Sequence, residues 1–96
     1  MSLETKREKI DTIDAQLIEL MVARLSVAKE IAQEKARTHQ PLTNKPREQE
    51  IFDKLDQQVA SEVRPYVHTL FEDLILVSKQ YQAHLIKEIQ DQAEQN

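Results

Sequence analysis

Arg24 occupies a position that its surroundings reserve for an aliphatic side chain. Leu3, Ile10, Ile13, Leu17, Leu20, Val27 and Ile31 recur at the spacing of one helix face. That stripe calls for another apolar residue at 24 and finds a guanidinium. Arg7 and Lys35 stand on its edge. Glu48 precedes Ile51, Phe52 and Leu55 on the inner face of a second helical stretch, and Ser78 and Gln82 interrupt the run Phe71, Ile75, Leu85, Ile86, Ile89 on a third. Charges enter a core only when paired or serving a site. Inward groups this polar, and mostly cationic, describe a buried anion pocket.

Helical geometry tests which of these groups can meet. Arg24 and Lys35 are 11 residues apart, a net rotation of about 20° and a rise of about 16 Å. They face the same way and can hold a small molecule between them. Arg7 lies about 25 Å from Arg24 along the axis and roughly 100° around it. It can join a site containing Arg24 only from a second copy of the chain. Arg47 and Glu48 open the second helix, where free N–H groups and the helix dipole favour an anionic ligand atom. Ser78 and Gln82 are one turn apart on one face, and the Gln82 amide can donate a hydrogen bond at any pH. Arg7, Arg24, Lys35 and Arg47 less Glu48 give a pocket charge of about +3. A dicarboxylate with one hydroxyl fits that inventory: the arginines offer planar bidentate donors to carboxylates, and Glu48 accepts from the hydroxyl.

Taken singly, each residue has a plainer explanation. Arg24 can snorkel or form an internal salt bridge, and Arg7 can be a solvated charge. Lys35 can complement a helix C-terminus, and Arg47 and Glu48 can be surface pairs. His39, His68 and His84 have no metal-ligand spacing and read as ordinary surface or loop residues. The site reading gains from conjunction, since three helices each break their own apolar face.

The elements that position these groups follow from composition. The chain has no Gly and three Pro, at 41, 46 and 65. Sheet proteins take most of their positive-φ turn residues from Gly; a Leu-, Ala-, Glu-, Gln- and Lys-rich chain without it is all-α. Three helices are expected, at about 3–38, 45–59 and 63–88, in a single domain over residues 1–96. Asn44 is a candidate N-cap with Pro46 in the following first turn. Ser61 is a candidate cap for the third helix, and the Gln- and Glu-rich tail from Ile89 is expected to fray. A 36-residue first helix spans about 54 Å, whereas a compact chain of this size has a radius of gyration near 13 Å. Its apolar overhang calls for a homodimer in which two long helices pack side by side. The chain has no Cys and no apolar run of transmembrane length, and its N-terminus has no signal-peptide core. The cytoplasm is the expected location. A net charge of −4 argues against nucleic acid as partner.

The run Arg7-Glu8-Lys9-Ile10-Asp11-Thr12-Ile13-Asp14, then Leu17, Leu20 and Arg24, Lys35, Arg47-Glu48, Leu70-Phe71 and Ser78-Lys79-Gln80-Tyr81-Gln82, resembles the all-helical (AroQ-type) chorismate mutases. The resemblance covers residues from about 4 to 83. It implies an intertwined homodimer of three-helix protomers that rearranges chorismate to prephenate, on the route to Phe and Tyr, with no cofactor and no metal. It further implies that Arg7 of the neighbouring chain and Arg24 bind the substrate carboxylates. Lys35 and Gln82 would donate to the ether oxygen, Glu48 would accept from the ring hydroxyl, and Arg47 and Ser78 would complete the anion shell. Asn44, counted with the substrate-binding positions, stands where many members carry Asp. Lys79 stands where an apolar residue is usual and adds positive charge at the site wall.

Two other functions use the same residues differently. An isochorismate-pyruvate lyase on this fold would share the Arg/Lys pocket; Glu48 favours the mutase by giving the hydroxyl an acceptor. A non-enzymatic helical dimerisation module would pair the inward cations with Asp11, Asp14 or Glu19.

Overall fold

In the computed structural model, which describes residues 2–95, the chain forms three helices: α1 (Leu3–Thr38), α2 (Lys45–Gln58) and α3 (Arg64–Gln95). No strand occurs among the described residues. α3 packs along α1 and against α2, while α1 and α2 do not approach each other. The Cα radius of gyration is 17.4 Å and the extents are 62 × 28 × 14 Å. A compact chain of this length would be near 13 Å; the long helices α1 and α3, of 36 and 32 residues, account for the difference.

Each boundary has a local cause. The Ser2 hydroxyl caps α1 by accepting from Thr5 N–H (3.2 Å). α1 ends at His39, which takes the left-handed conformation (φ 57°, ψ 36°) usual for glycine and returns its N–H to Lys35 O. With no glycine in the chain, a histidine fills that role. Asn44 caps α2 as expected, its Oδ1 accepting from Arg47 N–H (3.1 Å) with Pro46 in the first turn. Val59, expected inside α2, instead closes it, donating its N–H to Leu55 O (2.9 Å).

Two expectations for α3 need correction. Ser61 makes no side-chain hydrogen bond among the described residues. The turn is closed by Val63 and Arg64 N–H groups on Ala60 O (3.1 and 3.0 Å), and the Arg64 guanidinium covers Val59 O (2.8 and 3.1 Å). The tail from Ile89, expected to fray, is helical as far as Gln95. The segment Gln90-Asp-Gln-Ala-Glu-Gln holds no Gly, Pro or β-branched residue and so has no breaker. Asn96 lies outside the described residues.

The interior is small. Ala28, Ala32, Leu55 and Ile75 are its buried apolar residues, joined by buried Ser78 and Gln82. α1 meets α3 through alanines, whose short side chains let the two helices close on each other. The stripe read as a buried face is therefore one helical step from the face that packs. Leu3, Ile10, Ile13, Leu17 and Leu20 are exposed in the single protomer, Leu20 at 66%. No helix among the described residues is long and apolar enough to cross a membrane.

Candidate active site

α1 and α3 each present a polar break to the same space. Arg24, Val27, Ile31 and Lys35 from α1, Arg47, Glu48 and Ile51 from α2, and Ser78, Lys79 and Gln82 from α3 line one cavity of about 590 Å³. That volume suits a small organic ligand. Asn44 and Leu42 close it from the loop. Val27 and Ile31, the lower end of the apolar stripe, form its aliphatic wall.

Lys35 is the centre of the polar network. Its Nζ donates to Leu42 O (2.7 Å) and to Gln82 Oε1 (3.1 Å). An ammonium has three donors and no acceptor, so one N–H remains for a ligand. Its lack of any acceptor also fixes the Gln82 amide: the oxygen must face Lys35, which turns Nε2 toward Ser78 Oγ (3.1 Å). Nε2 keeps a second hydrogen. Ser78 and Gln82 are 7% and 6% exposed, so this relay is rigidly enclosed. Burial pushes the Lys35 ammonium below the usual lysine range; Glu48 opposes that shift and the Lys79 ammonium adds to it.

Glu48, half-buried, accepts from Lys79 Nζ at 3.1 Å. Positive charge at Lys79 was expected; its engagement by Glu48 was not. Arg24 is half-buried and has no carboxylate partner among the described residues. Arg47 stands exposed on the rim, Nη1 donating to Glu50 Oε2 (3.2 Å). Glu34 also borders the cavity but is bound to Arg37 on its own helix, which lowers its carboxyl below the usual range.

Seven of the eight expected site residues thus border one cavity: Asn44 at the loop, the rest on the three helices. Arg7 does not; it is exposed on the overhang of α1, as its helical distance from Arg24 required. Sequence reasoning missed the Leu42 carbonyl, a backbone atom that no side-chain pattern announces. His68 is partly exposed, as expected of a surface residue; not foreseen was its stacking on Phe52 (ring centroids 4.2 Å), which clips α3 to α2, with Nδ1–H donating to Glu72 (2.9 Å) within α3.

No ion pair involves Asp11, Asp14 or Glu19 among the described residues.

Three helices thus border one cavity that holds a half-buried guanidinium and a desolvated ammonium. Residues 6–83 fit the model of chorismate mutase type II, and the chain belongs to that family. Membership supports an activity of the chorismate mutase type, an isomerisation, with chorismate as the substrate that the family implies. No curated protein and no solved structure matches the chain.

Proposed function

We propose that this protein is a chorismate mutase that converts chorismate to prephenate, working as a homodimer with one site per protomer and serving Phe and Tyr synthesis in the cytoplasm. The observation that carries the reading is the Lys35–Gln82–Ser78 relay beside an unpaired Arg24, in a cavity of ligand size.

The rearrangement is unimolecular and pericyclic. One C–O bond breaks as one C–C bond forms, and no nucleophile, base, metal or cofactor takes part. Rate enhancement then has two sources. The first is conformational: Arg24 and the partner subunit's Arg7 clamp the two carboxylates and hold the enolpyruvyl arm over the ring. The second is electrostatic: negative charge grows on the ether oxygen as its bond to the ring lengthens. Lys35, already turned into the cavity and held by two acceptors, meets that charge with its third N–H, and Gln82 supplies a neutral donor beside it. Glu48 accepts from the ring hydroxyl, while Arg47 and Ser78 complete the shell around the substrate.

The apolar overhang supports the dimer. Ile10, Ile13 and Leu17 form an exposed row on α1, a contiguous surface of the kind that soluble monomers rarely leave open. A second copy laid along it covers the row and brings Arg7 to the cavity.

The test is chemical identification of the product. Purified protein incubated with chorismate is expected to yield prephenate as sole product. Unchanged chorismate, together with pyruvate release from isochorismate, would instead assign the lyase activity.

A further inference from the structure

Two carboxylates border the cavity, and each is restrained differently. Glu34 is bound to Arg37 within α1. Glu48 is bound across helices, from α2 to Lys79 on α3, at 3.1 Å, with both side chains only about a quarter exposed. Lys35 borders the same cavity with two of its three N–H groups engaged. A half-buried carboxylate and a half-buried ammonium sharing one cavity attract strongly, because the surrounding medium screens them poorly. Nothing covalent keeps Glu48 off Lys35. Lys79 offers it a competing partner.

We propose that Lys79 is a positioning residue, which anchors the Glu48 carboxylate and so keeps the third N–H of Lys35 free for the bound anion. The inference rests on the role assigned to Lys35 above. Without the anchor, Glu48 would fold onto Lys35 and occupy the donor that catalysis needs. Lys79 also sets the local field: its ammonium disfavours the charged form of Lys35 while Glu48 favours it. The charged groups that border the cavity with Lys35 are Arg24 and Glu34 from α1, Arg47 and Glu48 from α2, and Lys79 from α3; of these, Glu48 and Lys79 act on its charge.

A double-mutant cycle separates this role from a structural one. Turnover of chorismate is measured for the wild-type protein, Lys79→Met, Lys79→Arg, Glu48→Gln and Lys79→Met/Glu48→Gln. Lys79→Met is expected to lower kcat about tenfold with a smaller change in KM, and Lys79→Arg to keep most of the rate. In the Glu48→Gln background the further loss from Lys79→Met should be under about twofold, since no carboxylate remains to anchor. An equal loss in both backgrounds, or none in either, overturns the proposal. A second readout needs no substrate. The titration of the Lys35 ammonium, followed by NMR, should drop further in pH on Glu48→Gln in the Lys79→Met background than in the wild type, because without its anchor Glu48 has moved onto Lys35; an equal drop in both backgrounds overturns the proposal. A wild-type protein inert toward chorismate, with the Lys35 titration shifted as described, contradicts the proposed reaction and supports the anchor.

Discussion

Lys35 must carry its proton to stabilise an oxyanion, and its surroundings make that proton less secure. Burial is the main cause, and the ammonium of Lys79 adds to it. kcat/KM for chorismate is therefore expected to fall on the basic side at a pH below the 10.5 of an ordinary lysine. Stability runs the other way. The folded chain holds this proton less tightly than the unfolded chain, so the penalty is present at lower pH. It is relieved as pH rises through the folded value toward 10.5. A pH–rate profile measures the first effect, and a descending limb at or above 10.5 would contradict it. Arg24, Ser78 and Gln82 were legible in the sequence because each breaks an apolar helical period, which is costly unless something is bound there, and Lys35 because it lies on the edge of the stripe that Arg24 breaks, facing the same way. The Leu42 carbonyl and the Glu48–Lys79 pair were not. One is a backbone atom, and the other depends on how two helices are set against each other, which spacing within a single helix does not encode.

Helices α1 and α3 meet through Ala32, which is wholly inaccessible, and Ala28, at 3%. Their closeness sets the distance from Lys35 to Gln82; Ala28 also borders the cavity, whereas Ala32 acts on the site without lining it. Ala32→Leu is expected to destabilise the fold by about 1–3 kcal/mol through overpacking and to lower the melting temperature by several degrees. Thermal unfolding measures this; an unchanged melting temperature would show that the two helices are not in tight contact at Ala32. The element boundaries divide by the same logic of local chemistry. The start of α2 was readable because Asn44 and Pro46 have fixed meanings at a helix N-terminus. The end of α3 was not, because a polar tail with strong helix propensity resembles one that unravels. His39 as a left-handed cap was also hidden, since absence of glycine says only that some other residue must take that conformation. The apolar stripe was read correctly as a stripe, but its large residues were assigned to the interior. Inside one protomer that place is taken by the alanines one step around the helix.

On the scale of the whole molecule, the single chain buries very little. Among the described residues four apolar ones are buried, and a long apolar row lies open on α1. The length of α1 made the overhang legible from sequence alone, and it is the same overhang that places Arg7 out of reach of its own cavity. The proposed site is assembled from two copies of the chain and acts on chorismate. Arg7→Ala and Lys35→Ala chains, each tested alone, should be slowed by orders of magnitude. Unfolded together and refolded as an equal mixture, they should form about half mixed dimers, each with one complete site. Chorismate turnover by that mixture is the measurement to make. Recovery of prephenate formation to about a quarter of the wild-type rate is predicted. A mixture as slow as its two parts would contradict the shared site, and near-normal turnover by Lys35→Ala alone would contradict the mechanism.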